Sequence, residues 1–259
     1  MKILIVGFGF VGKALKHILE TNPDNRIDIV DPAYSDFTIA QSDTPSFAFV
    51  CVPTPEGSDG SCDYSLVAQV VGEIKAHHPT VYIVVKSTVT PDGVDRLLQI
   101  DPDLVYNPEF LTAANAQEDM RNSSFHLIGN NGEPGQVLSL LYWSTAMRKP
   151  VPHIYMSAKA AAFTKYAINS FLALKVAYFN ELHAVAQSAG LDWEEIVLGI
   201  RQDPRVGISH TQVPGPDGSF GFGGACFPKD TQAFVKFAEL NGTAPILATA
   251  IAENKKRRP

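Results

Sequence analysis

The sequence predicts an α/β protein in which a doubly wound parallel sheet is followed by an all-helical domain. Short, continuously apolar runs alternate with helix-like segments up to about residue 150. Such runs are typical of strands that are covered on both faces of a parallel sheet. The segment 157–190 then has apolar residues near 3.6 spacing and no internal Pro or Gly, which predicts a long helix.

Six apolar runs are the predicted strands of the first domain. They lie at 3–6, 27–30, 47–52, 81–85, 104–106 and 125–128. Segments such as 12–20 and 64–76 supply the helical crossovers between strands. We place the sheet domain in residues 1–152 and the helical domain in residues 153–259.

The helical domain is predicted to contain four helices. After the long helix 157–190, Asp192 is a suitable N-cap for a second helix that continues to Ile200. The loop 202–226, rich in Gly and Pro, leads to a third helix near 231–240, and the last helix begins after Pro245. Loops of this length inside a compact domain are usually functional.

Composition argues against several classes of protein. The 259 residues carry a formal net charge of −6, so nucleic-acid binding is not expected. No apolar run has the length of a membrane span and the N-terminus has no secretory pattern, so we expect a cytoplasmic protein. Three cysteines without a Cys-x-x-Cys pair predict neither a disulfide framework nor a metal site.

A glycine motif after the first strand predicts a dinucleotide site of the Rossmann type. Gly7, Gly9 and Gly12 follow the strand and open a helix, with Phe10 and Val11 inside the motif. The first glycine permits a tight turn, the second lets the backbone approach a pyrophosphate, and the third allows close packing of the helix on the strand.

Asp31 ends the second predicted strand, where a carboxylate can bind ribose hydroxyls. No Arg or Lys lies between Asp31 and Asp43, so a 2′-phosphate would meet only negative charge there. The sequence therefore favours NAD over NADP. The segments 52–55, 86–88 and 107–111 also lie at carboxyl ends of predicted strands, and together with the glycine loop they indicate a ligand crevice.

Cys226 is the predicted nucleophile. Gly-rich sequence precedes it, Pro228 suits the first turn of a helix, and Lys229 and the helix-end amides favour the thiolate. A hydride acceptor and a reactive thiol in one chain predict oxidation of an aldehyde through a thioester. A lone cysteine is otherwise expected to be a small buried hydrophobe.

Lys165 and Asn169 are four residues apart on the long predicted helix, so they share a face. An ammonium and a carboxamide there could stabilise an oxyanion. Their neighbours are largely apolar, which favours an inward placement over a solvated face. For Arg205, a lone cation in the loop 202–226, a ligand contact and a surface position both stay open.

Taken together, these residues resemble the UDP-glucose/GDP-mannose dehydrogenase family across nearly the whole chain. The resemblance is carried by the glycine motif, by 86–88, 108–111, 173–182 and 220–231, of which the last two are the most specific. The family oxidises a sugar C6 alcohol to a carboxylate in two steps that consume two NAD. The resemblance implies this four-electron oxidation here, from UDP-glucose to UDP-glucuronate.

The resemblance also implies the catalytic roles. Cys226 would capture the aldehyde as a thiohemiacetal and become a thioester, whose hydrolysis Glu109 would assist. Lys165 and Asn169 would stabilise the oxyanion, and Asp230 would support proton transfer.

Binding residues are implied by the same resemblance. Thr88 would position water and touch the nicotinamide, and Arg205 would reach the sugar of a neighbouring subunit, which implies a homodimer through the helical domain. Cofactor contacts are implied for Gly7, Gly9, Phe10, Val11, Gly12, Asp31, Val52, Pro53, Thr54, Thr88 and Lys229. Substrate contacts are implied for Glu109, Phe110, Leu111, Lys165, Asn169, Arg205, Gly215, Ser219 and Gly223.

Two departures from the family leave alternatives open. Ala113 stands where the family usually has a second glutamate, four residues after Glu109. The chain also ends where the family continues into a second α/β domain that holds much of the nucleotide, so a separate chain could supply that half. A non-catalytic NAD-binding dimer is therefore one alternative. A β-hydroxyacid-type dehydrogenase, which needs no thiol, is the other.

Overall fold

The computed structural model describes residues 1–147 and 150–258 of the chain. They divide into two compact units, the first made of residues 1–57 and 62–165 and the second of residues 58–61 and 166 onward. The domain boundary predicted near residue 152 stays a prediction of domain organisation.

Five parallel strands form the main sheet of the first unit, in the order β2-β1-β3-β4-β5. β1 pairs with β2 on one side and with β3 on the other, so that Val6 lies opposite both Val30 and Val50. Because these strands end in register, their carboxyl ends meet along one edge of the sheet. The strands are β1 (Lys2–Val6), β2 (Arg26–Val30), β3 (Phe47–Val50), β4 (Tyr82–Val85) and β5 (Val105–Tyr106).

Helices cover both faces of this sheet, which confirms the predicted doubly wound α/β fold. Alternate side chains of β1 enter two separate apolar clusters, Leu4 in one and Ile5 in the other. The first cluster is completed by α2 (Ser65–His77) and α3 (Pro91–Ile100). The second is completed by α1 (Phe10–Leu19), α4 (Ala116–Arg121) and α5 (Glu133–Trp143).

The last predicted strand forms, but outside the main sheet. This strand, β6 (His126–Ile128), pairs in parallel with β7 (His153–Tyr155), which the sequence analysis did not predict. Mutual backbone hydrogen bonds of 3.3 and 2.8 Å between Tyr106 and Gly129 link it to the end of β5. β7 has only three residues and exposes Ile154 and Tyr155, so no continuous apolar run announces it.

The second unit is helical, as predicted. α6 (Ala158–Ser188) begins in the first unit and continues into the second, where α7 (Trp193–Ile200), α8 (Phe227–Asn241) and α9 (Pro245–Arg257) follow. Within the described residues, no helix is both long and apolar enough to cross a membrane.

The ends of these helices follow from their capping residues. The Asp192 carboxylate accepts a hydrogen bond from the Glu194 amide at 2.9 Å, which confirms the predicted N-cap of α7. α8 begins four residues earlier than predicted. Pro228 lies in its first turn, where a backbone N–H would have no acceptor within the helix, so proline loses no hydrogen bond there. The loop 202–226, all of it described, has neither helix nor strand.

Two glycines shape the turn after β1. Gly7 has a φ of +92°, and a Cβ built there would lie 2.7 Å from the carbonyl carbon of Cys51. A Cβ on Gly12 would overlap the carbonyl oxygen of Gly7. Gly9 differs from both, because its φ is −70° and a Cβ there would meet nothing within 4 Å.

We predict that Gly7→Ala destabilises the protein by about 2 kcal/mol or more, since it adds left-handed backbone strain to a backbone overlap. The matched control Gly9→Ala is expected to cost less than about 1 kcal/mol, the usual penalty for alanine at an N-cap. Urea unfolding of both variants measures the difference. Equal losses of stability would contradict the close approach of Gly7 to Cys51.

Candidate active site

The glycine loop and the end of β2 form the predicted cofactor end of the first unit. The Asp31 carboxylate accepts hydrogen bonds from the backbone N–H groups of Phe8 at 2.6 Å and Ala33 at 2.9 Å. These bonds hold it beside the glycine loop. The turn has open space at Gly9, and α1 starts there without a side-chain cap, so its first N–H groups are suited to a phosphate.

An aromatic pair adjoins this loop. Tyr34 packs edge-on against Phe8, with ring centroids 4.9 Å apart, and the Nζ of Lys13 lies 5.0 Å from the Tyr34 centroid. Lys13 lies outside the segment 31–43, whose lack of cations was the basis for predicting NAD over NADP, so its place beside this loop was not predicted. The open turn at Gly9, the uncapped start of α1 and the Asp31 carboxylate are together suited to binding a dinucleotide.

The segments after β3 and β4 are tied to each other. The Ser87 hydroxyl donates to the main-chain oxygens of Val52 at 2.6 Å and Val50 at 3.3 Å. Thr54 and Thr88 are buried, whereas Pro53 is exposed. The predicted segments 52–55, 86–88 and 107–111 follow the neighbouring strands β3, β4 and β5 at one edge of the sheet, as expected.

Glu109 and Lys165 form a buried ion pair in the first unit. Their side chains are 6% and 3% exposed, and the Lys165 Nζ lies 3.3 Å from the Glu109 Oε1. Lys165 also donates to the main-chain oxygen of Glu109 and lies 5.0 Å from the centroid of the Phe110 ring. The second carboxylate oxygen of Glu109 accepts the Leu111 N–H. The structure thus brings together four predicted substrate residues.

A cavity of about 280 Å³ opens beside this pair. Its lining includes Lys86, Glu109, Phe110 and Leu111. Ala113 lies outside it, in an exposed turn. The cavity is therefore lined by the Glu109 carboxylate, the Lys86 ammonium and the Phe110 ring, a combination suited to holding a polar ligand.

Lys86 is a buried cation to which the sequence analysis gave no role. Its Nζ donates to the Oδ1 and the main-chain oxygen of Asn107, at 2.9 and 3.1 Å, and its side chain is 2% exposed. Tyr142 donates to the same Oδ1 at 2.6 Å. Burial lowers the pKa of Lys86 to about 8 and raises the pKa of the nearby Cys51 thiol to about 12.

In the second unit, the first turn of α8 gathers four predicted residues. Asp230 is 1% exposed, and its carboxylate accepts from the Asn169 Nδ2 at 2.7 Å and from the Lys229 Nζ at 2.6 Å. The carbonyl of Cys226, the N-cap residue, accepts the Asp230 N–H at 2.9 Å. A half-buried thiol therefore lies on the same helical turn as a buried, paired carboxylate.

The remaining predicted substrate residues lie in the loop 202–226. Arg205 is exposed and pairs with Asp203 of its own turn at 2.6 Å, and Gly215 donates to the Ser219 carbonyl at 2.8 Å. Gly223 packs against Arg258 so closely that a Cβ would overlap the guanidinium. The binding roles of these residues stay predictions.

The burial of Lys86 could have been predicted from its position in the sequence. Lys86 directly follows the apolar strand 82–85, and a charged residue in that position at a sheet edge is a candidate for burial. Within its segment 86–88, only Thr88 had a predicted role.

Comparison with known proteins identifies the family. Residues 33–145 match the NAD binding domain of the UDP-glucose/GDP-mannose dehydrogenase family, and residues 159–256 match its central domain. The chain belongs to this family. The predicted NAD cofactor is confirmed at the level of the family, and membership favours a nucleotide-sugar dehydrogenase over the β-hydroxyacid class.

Individual relatives agree with this assignment. The chain is 32% identical to the UDP-glucose 6-dehydrogenase of Rhizobium meliloti over 94% of its own length and 57% of the relative. It is 31% identical to that of Pseudomonas aeruginosa over 89% of its length and 54% of the relative. A solved UDP-glucose dehydrogenase from Pyrobaculum islandicum superposes with a TM-score of 0.81 at 26% identity, covering 98% of this chain and 68% of that one. The chain thus spans little more than half the length of the two relatives named first.

We predict that Lys86→Met changes the pH dependence of stability. Below pH 8, Lys86 is protonated in both states and its burial costs stability in full. As the pH rises from 8 toward 10.5, the folded protein releases this proton before the unfolded chain does, so the penalty fades. The free energy of unfolding of the variant minus that of the wild type should fall by about 2 kcal/mol between pH 7 and 9.5. A constant difference, measured by urea unfolding across this range, would show that the ammonium is not desolvated.

Proposed function

We propose that this chain catalyses the NAD-dependent, four-electron oxidation of UDP-glucose to UDP-glucuronate. The observation that carries the proposal is the first turn of α8, where Cys226 precedes the buried Asp230, itself held by Asn169 and Lys229. A carboxylate this deeply buried is costly to fold, so its pairing beside a thiol supports a chemical role.

The proposed chemistry begins with oxidation of the C6 alcohol to an aldehyde, in which the hydroxyl proton passes to a bound water with the support of Asp230. NAD, when bound, accepts one hydride in each of the two oxidations. The Cys226 thiolate adds to the aldehyde carbon, forming a C–S bond, and Lys165 and Asn169 donate hydrogen bonds to the resulting oxyanion. Loss of the second hydride leaves a thioester on Cys226.

Hydrolysis then completes the proposed reaction. Glu109 accepts a proton from the attacking water, the C–S bond breaks, and the carboxylate and the Cys226 thiol are released. The two oxidations and one hydrolysis together consume two NAD and one water for each sugar. The buried contact between Glu109 and Lys165 supports this role, because the ammonium fixes the carboxylate in one orientation.

We further propose that the chain works as a cytoplasmic homodimer through its helical region. α6 exposes three large apolar side chains seven residues apart, Phe171, Tyr178 and Val185, which therefore lie on one face of the helix. The exposed Arg205 is available to reach a neighbouring subunit.

Replacement of the thiol tests the proposal. Cys226→Ser should lower UDP-glucuronate formation by roughly a thousandfold or more, as loss of a catalytic nucleophile does, while NAD binding stays unchanged. Mass spectrometry quantifies the carboxylate, and a fluorescence titration measures NAD affinity. The matched control Ala225→Ser, at the neighbouring exposed position, should retain activity.

Two results would contradict the proposal. Carboxylate formation at the wild-type rate by Cys226→Ser would exclude a thioester on this residue. Saturable NAD binding by the wild type without turnover of UDP-glucose would favour a binding-only protein.

A further inference from the structure

We propose that two buried asparagines, Asn180 of α6 and Asn254 of α9, are positioning residues for Cys226. Both hold the backbone of the segment that leads to the thiol, at Gly221 and Phe222. We call this pair the asparagine anchor. The inference rests on the proposed function, because it assigns the anchor a task only if Cys226 is the nucleophile.

Asn254 pairs with both backbone groups of a single residue. Its Oδ1 accepts the Phe222 N–H at 2.7 Å, and its Nδ2 donates to the Phe222 carbonyl at 2.9 Å. The asparagine is 8% exposed, so water competes little for these bonds. One side chain therefore pairs both main-chain polar groups of Phe222.

Asn180 supplies the second contact. Its Oδ1 accepts the Gly221 N–H at 2.8 Å, and its Nδ2 donates to the Val176 carbonyl one turn back on α6, also at 2.8 Å. The bond to Val176 fixes the orientation of the amide, so the oxygen must face the loop. Gly221 has a φ of +74°, and a Cβ there would overlap the Asn254 Oδ1, which shows how closely the loop and α9 fit.

The segment beyond the anchor explains why a fixed point is needed. Gly223, Gly224 and Ala225 separate Phe222 from Cys226, and a Cβ on Gly224 would meet nothing within 4 Å. Glycines have the greatest backbone freedom of any residue, so this stretch is not held by its own side chains. It is held at its far end by α8 and at its near end by the anchor, and Gly223 also packs against the Arg258 guanidinium.

A surface contact accompanies the anchor without replacing it. Arg258 donates to the Phe220 carbonyl at 2.8 Å and pairs with Asp217 at 2.6 Å. The Asp217 side chain is half exposed, and exposed ion pairs contribute little. Loss of Asn254, by contrast, would leave the N–H and carbonyl of the buried Phe222 unpaired, which is the costlier change.

The test compares Asn254→Ala with Asn25→Ala. Asn25 is also 8% exposed and donates one buried hydrogen bond, to Leu19 at 2.8 Å in the first unit, so it controls for a general loss of stability. In Asn254→Ala we expect kcat to fall at least tenfold, with the KM for NAD unchanged. We also expect amide hydrogen exchange in the peptide 220–226 to become at least tenfold faster. Asn25→Ala should change neither quantity.

A conservative variant guards against misfolding. Asn254→Asp keeps the acceptor for the Phe222 N–H but loses the donor to its carbonyl, so its kcat should lie between those of the wild type and Asn254→Ala. Should Asn254→Ala not fold, Asn254→Asp carries the test, and a wild-type kcat in that variant with faster loop exchange overturns the proposal.

The outcomes separate this inference from the proposed function. Wild-type kcat in a folded Asn254→Ala, or unchanged exchange in the peptide 220–226, would overturn the anchor while the oxidation stands. An inactive wild type would instead overturn the proposed function, and with it the positioning role. Faster exchange of the peptide 220–226 in Asn254→Ala would then show only that Asn254 holds this loop.

Discussion

The close approach of Gly7 to the end of β3 is the constraint on which the first unit depends. The Gly7 N–H donates to the Val30 carbonyl at 2.9 Å, and the Cys51 N–H donates to the Val6 carbonyl at 2.7 Å. These bonds end β2, β1 and β3 at the same level, and no side chain fits between Gly7 and Cys51. The glycine loop can therefore turn directly into α1, and the loops after the neighbouring strands emerge at the same edge of the sheet.

Buried, paired polar groups set the character of both units. Glu109 is paired with Lys165 in the first unit, and Asp230 with Lys229 in the second. Apolar side chains of similar volume would often stabilise a fold equally well or better than buried ion pairs. Chemistry at these positions is the reason we propose for their presence, and the buried Asn254 is a further polar residue to which we assign a functional task.

The sequence predicted those parts of the fold that local pattern determines. Continuous apolar runs identified the five strands of the main sheet, and Asp192 marked the start of α7 because a cap acts within three residues. β7 was not predicted because it has only three residues and two of them are exposed. The start of α8 was placed four residues too late, although Pro228 already indicated a first turn there.

The site was predictable only in part, for a similar reason. Glycine spacing and the position of Asp31 predicted the cofactor end, since a turn and a strand end are local features. Roles for Cys226 and Glu109 came largely from resemblance to the family. The bond between Asn254 and Phe222 joins residues 32 positions apart, and only tertiary packing could show it.

The yield of NADH per UDP-glucose, measured with purified protein, excess NAD and limiting sugar, tests the proposed oxidation most directly. We expect two NADH for each sugar, with UDP-glucuronate as the product, because the thiol carries the intermediate through the second oxidation. One NADH with a released aldehyde would contradict the thioester. No NADH from a protein that still binds NAD would contradict activity of this chain on its own.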